Sequence, residues 1–112
     1  MISKIELKET FNSFDISFIT IDFNNKSLSL LKNNIVYKNE QIDIDLNKLT
    51  GLIKKYVTYW DNQYINKSII DGKSSELCIY MSDEKVKYNF KNKFPYNYNE
   101  FIKHFKELVN II

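Results

Sequence analysis

Any chemistry in this chain has to start from very few side chains. Histidine and cysteine each occur once, as His104 and Cys78, and the one small acidic run is Glu40, Asp43 and Asp45. A thiol touching an imidazole can act as a nucleophilic pair, the ring drawing off the thiol proton. No flanking motif supports that use, and within ELCIYM Cys78 reads as a small buried apolar residue. Asp43 and Asp45 share one side of an extended run and would hold a hard cation only if a loop added oxygens. Their spacing fits no calcium loop. One cysteine and one histidine cannot complete a structural zinc site. Two glycines and no Gly-rich turn exclude phosphate cradles of the P-loop or dinucleotide kind, and there is no Gly-x-Ser-x-Gly elbow. The expectation is a chain with no catalytic residues, no metal and no cofactor, and so not an enzyme.

Recognition is the other chemistry within reach. NFKNKFPYNYNEF, residues 89–101, holds five aromatic rings and two lysines. A single-strand nucleic-acid binder needs rings and cations on one exposed face, so that bases stack while phosphates are held. Strand parity separates them here. Lys85, Lys87, Asn89, Lys91 and Lys93 point one way, and Val86, Tyr88, Phe90 and Asn92 the other. The simpler reading is a half-buried strand whose lysine face is solvated or guards a sheet edge. Pro95 marks the strand's end, and Asn97 followed by Glu100 reads as a capping-box start for a helix that buries Tyr98 and Phe101. Phe94 and Tyr96 have no obvious core role and stand as candidate partner anchors. A nucleic-acid module using Lys85, Lys87, Lys91 and Lys93 is the alternative.

FNSFDISFITIDF raises a second docking candidate. Phe14, Ile16 and Phe18 take one strand face, while Ile19, Ile21 and Phe23 take the other. Either a bulge near Phe18 and Ile19 swaps the faces, or both faces carry apolar residues. In the second case Phe14 and Phe18 offer a patch for a protein partner or a homodimer. Tyr59, flanking a helical stripe with Leu52, extends the set of candidate contacts.

Composition bounds these readings. A chain of 112 residues, 44% hydrophobic and 27% charged, is expected to fold as a single domain spanning 1–112. All 16 basic residues are lysine, and alanine and arginine are absent. Ile, Asn, Lys, Tyr and Phe have AT-rich codons, so the bias points to a low-GC bacterial or phage genome. Missing arginine removes the bidentate contacts to phosphate and guanine that lysine cannot copy. A net charge of +2 is too small to imply a polyanion partner. The lone cysteine fits a reducing cytoplasm. MISKIELKETF is not expected to be a signal peptide, and no apolar run approaches the length of a membrane span.

Alternating apolar residues predict strands through the first 45 positions, with turns at 24–26 and 32–34. This includes the run around Ile42, Ile44 and Leu46. A helix is expected over about 46–64, its stripe formed by Leu49, Ile53, Tyr56, Val57, Trp60 and Tyr64, with Asp45 or Asn47 as its cap. A loop turning at Asp71-Gly72 leads to a hairpin of ELCIYM and KVKYNF. A second amphipathic helix is expected over about 98–111. The expected fold is α+β, an antiparallel sheet of five to seven strands with both helices on one face as a two-layer sandwich.

The stretch 59–109 resembles small uncharacterised bacterial α+β proteins. In these a helix, an Asp-Gly loop, a hairpin, a Pro-x-Asn step and a terminal helix follow in order. The anchors here are Asp71, Gly72, Pro95, Asn97 and Phe101. Where that pattern favours Trp after Asp-Gly this chain has Ser74, Ser75 and Glu76, and it lacks a glycine before the proline. The resemblance implies an immunity or anti-defence role, in which a non-enzymatic protein blocks one protein partner.

Overall fold

The computed structural model describes residues 2–11, 15–68 and 72–109. These form seven strands and two helices: β1 (Ile2–Phe11), β2 (Asp15–Asp22), β3 (Ser27–Lys32), β4 (Ile35–Gln41), α1 (Leu46–Tyr56), β5 (Gln63–Ile65), β6 (Lys73–Met81), β7 (Lys85–Lys91) and α2 (Tyr98–Leu108). The class is α+β, as the sequence implied. One sheet runs in the order β4-β3-β2-β1-β6-β7-β5, and only β5 against β7 is parallel. No helix among the described residues is long and apolar enough to cross a membrane.

Turn chemistry sets the first four strands. Asn33 and Asn34 have φ of 52° and 66°, the doubly left-handed geometry of a tight β3–β4 hairpin. The Asn33 carboxamide also accepts the N–H of Ile16 at 2.8 Å, fastening the turn to β2. Between β2 and β3 the left-handed residue is Lys26, while the Asp22 carboxylate accepts the N–H groups of Asn24 and Asn25. Here a side-chain turn, rather than two left-handed asparagines, reverses the chain.

Parity then sorts the core. Ile5 and Leu7 of β1 lie opposite Ile21 and Ile19 of β2 and opposite Ile79 and Leu77 of β6. Leu28, Leu30 and Phe90 continue this set into β3 and β7, and it forms one buried cluster with Leu49, Tyr56, Val57, Tyr98, Phe101 and Phe105 from the helical segments. The β1–β2 register runs from Lys4–Asp22 to Phe11–Asp15 without a shift, so no bulge swaps the faces at Phe18. Ile16 and Phe18 therefore lie on the parity opposite to the core set.

Three expected elements differ. The first helix ends at Tyr56 rather than near Tyr64, and Gln63–Ile65 forms β5 instead. Trp60 and Tyr64 are four apart, which suits strand parity as well as a helix turn. Both still reach the core, where Tyr64 packs on Phe90 and Trp60 on Phe90, Tyr98 and Phe101. Residues 42–45 are linker rather than strand, although the Ile42 N–H still donates to the Lys26 carbonyl and Ile42 and Ile44 pack on the core. At α2, Asn97 occupies the cap position without a side-chain capping bond. Its carboxamide oxygen accepts the Trp60 indole N–H at 2.8 Å instead, joining the end of the first helical segment to the start of the second. Asp45 caps α1 as expected, accepting from the N–H groups of Asn47 and Lys48.

Candidate functional site

Among the described residues the core contains one polar cluster, and β1 places it there by parity. Glu9 follows Ile5 and Leu7 on the buried side and is 2% exposed. Opposite it on β6 is Ser75, also buried. The Tyr98 hydroxyl donates to Ser75 Oγ at 2.7 Å and lies 3.4 Å from Glu9 Oε2. Lys106 Nζ stands 3.0 Å from Glu9 Oε1 as an ion pair not aligned as a hydrogen bond. Burial, then the Glu9 charge, pushes the Tyr98 hydroxyl far above the usual tyrosine range, so it stays a neutral donor. Lys73 lies over the rings of Phe11, Phe94 and Tyr98 at 5.2–5.5 Å. The cluster joins α2 to β1 and β6, with Glu9, Ser75 and Tyr98 all buried.

The surface features are elsewhere. Edge strand β4 exposes three consecutive apolar residues, Ile35, Val36 and Tyr37, at 63%, 58% and 60%. The β3–β4 register shifts between Leu30 and Leu31, leaving Tyr37 as the extra residue of a bulge. Val36 pairs with Leu31, and Leu31 with Phe18, so an apolar row crosses three strands and ends at the edge.

The residues singled out from the sequence do not converge. Phe18 lies in that row. Phe94 is half buried, its ring 4.6 Å from Tyr98 and 5.7 Å from Phe90, so it serves the core. Tyr96 is fully exposed at 100%, and Tyr59 is also exposed. Tyr59 and Tyr96 neighbour Trp60 and Asn97, at the far side of the sheet from β4. Phe14 lies outside the described residues, as does Asp71.

Lys85, Lys87 and Lys91 are exposed on β7, and Lys93 follows beyond the strand's end. Their parity also carries Tyr80, which sits between Lys4 and Lys85 at 4.8 and 5.0 Å from its ring centre. A ring and cations thus share a face after all, through neighbouring strands rather than along one. Acids share it too: Lys87 pairs with Glu76 at 3.8 Å, Lys4 with Glu6 at 3.7 Å, and Glu6 accepts from the Tyr80 hydroxyl.

Cys78 and His104 are not brought together. Cys78 has the parity of Glu6 and Lys87, and burial raises its thiol pKa, partly offset by Lys85 and Lys87. His104 stacks on Tyr56 and pairs with Glu107, on α2. Among the described residues no three His, Cys, Asp or Glu side chains group as a metal site, and the Asp45 carboxylate is engaged by α1.

One cavity of about 570 Å³ opens between α1 and the sheet. Ile2, Ile53, Val57, Ile79, Met81, Val86 and Tyr88 supply its apolar lining, and Asn47, Thr50, Lys54 and Thr58 its polar margin. Sequence periodicity placed Ile53 and Val57 on the helical stripe and Val86 and Tyr88 on the strand face away from the lysines, and gave no sign of a gap between them. No protein-family model matches this chain, and comparison with curated proteins gives no match.

Proposed function

We propose that this chain is a non-enzymatic protein-binding module that takes an extended segment of one protein partner along the β4 edge. The observation that carries the reading is the exposure of Ile35, Val36 and Tyr37 on a seven-residue edge strand. Edge strands are ordinarily kept short, charged or covered, because their free N–H and C=O groups template pairing with another chain. The opposite edge, β5, obeys that rule at three residues. An added strand on β4 would gain main-chain hydrogen bonds, while alternate side chains met Val36 and the Phe18–Leu31 row.

The reading takes the sheet and both helices as a two-layer sandwich within one domain, leaving the Phe18 face as the second wall of the docking surface. It also fits the immunity or anti-defence role that the sequence resemblance implies, since an inhibitor of that kind needs a docking face and no reactive cleft. One cysteine and no internal disulfide suit action in a reducing cytoplasm. A nucleic-acid role for the β7 lysines has less support, because Glu6 and Glu76 offset the positive charge where phosphates would sit.

The test compares tagged wild type with Val36→Glu and Tyr37→Glu in extracts of the native host. Both substitutions fall at exposed positions and should leave the melting temperature nearly unchanged. The expected result is one protein retained in stoichiometric amount by wild type and lost with both variants. Retention unaffected by either variant contradicts the reading. Sedimentation of purified wild type as a dimer that Val36→Glu dissociates would make the occupant a second copy of this chain.

A further inference from the structure

The cavity beside α1 is separate from the β4 surface, being lined by α1, β1, β6, β7 and the turn after α1. Its volume of about 570 Å³ is that of a site enclosing a small organic molecule. Ile53, Met81, Val86 and Tyr88 are only half buried, so apolar wall faces water that a hydrocarbon would displace. The polar side chains Asn47, Thr50, Lys54 and Thr58 come from the helical segment, and among the described residues that line the cavity Lys54 is the one with a charge. Asp45, nearby in sequence, is turned to the N–H groups of Asn47 and Lys48. Charge complementarity therefore favours a negative head group over a positive one.

We propose that this cavity binds a single-chain amphiphile with an anionic head, of the class of a medium-chain carboxylate. Its hydrocarbon lies between α1 and the β6–β7 hairpin, and its head group meets Lys54.

Methyl and amide NMR spectra titrated with decanoate below its micelle concentration test this, with decyltrimethylammonium as the parallel probe. Saturable shifts are expected at Ile53, Ile79, Met81 and Val86 with decanoate. Lys54→Glu should weaken decanoate binding about three- to tenfold and favour the cationic probe. Val86→Trp should abolish binding by filling the space. If that variant fails to fold, Lys54→Glu, at an exposed side chain, decides alone. Absence of saturable shifts, equal binding of both probes to wild type, or shifts centred on β4 would overturn the proposal. So would a protein partner that decanoate displaces, since a polypeptide would then be the occupant. Val36→Glu should bind decanoate normally, so failure of the cavity and failure of the β4 reading are distinguishable.

Discussion

Glu9 shows how one misplaced-looking charge can fasten a helix. A carboxylate on the buried side of β1 is costly unless paired, and the ammonium of Lys106 and the hydroxyl of Tyr98 supply its partners. The two members of the ion pair differ in exposure, which gives the pair an unequal response to mutation. Lys106→Ala strands the charge of Glu9 in the core and should cost about 3 kcal/mol in urea unfolding. Glu9→Ala leaves Lys106, which is one-third exposed, free to reach water and should cost only about 1–2 kcal/mol. The double variant should then resemble Glu9→Ala rather than the sum of the two. Equal single costs that simply add would show the contact to be incidental. This placement was legible in the spacing: Glu9 is in phase with Ile5 and Leu7, and Ser75 with Leu77 and Ile79. Its partners were not, because Tyr98 and Lys106 reach it across 89 and 97 positions of chain.

At the scale of elements, α1 is held by its packing and its Asp45 cap despite a glycine in its interior. Gly51 is exposed, its φ is not positive, and a Cβ there would meet nothing within 4 Å. Gly51→Ala should therefore stabilise the protein by about 0.5–1 kcal/mol, read as a higher midpoint in urea. An unchanged or lower midpoint would mean that α1 is not the regular helix described. Strand parity and turn residues made β1, β2 and β7 readable, whereas β6 starts at Lys73, ahead of the ELCIYM run the sequence marked as strand. The first helix was read too long because Trp60 and Tyr64 satisfy both periods. What ends it is tertiary: the Trp60 indole turns to Asn97, and Asn62 accepts the N–H of Asn89 and donates to Lys87, starting β5 beside β7. The same contact diverts Asn97 from the capping role its sequence position suggested. Nor did IVY at 35–37 reveal its exposure, since three apolar residues in a row read locally as a buried strand.

The molecule as a whole is asymmetric about β1. On one side β6, β7 and β5 carry paired lysines and acids and end in a short edge. On the other, the sheet ends at β4 with apolar residues in water and an apolar row behind them. This contrast is the observation on which the proposed docking role rests. Hydrogen–deuterium exchange of the chain, free and mixed with a host protein captured on it, tests that role most directly. Strand addition predicts slowed exchange across residues 35–41, with β7 and α1 unchanged. Unaltered exchange in β4, or protection confined to the lysine strand β7, would contradict the account.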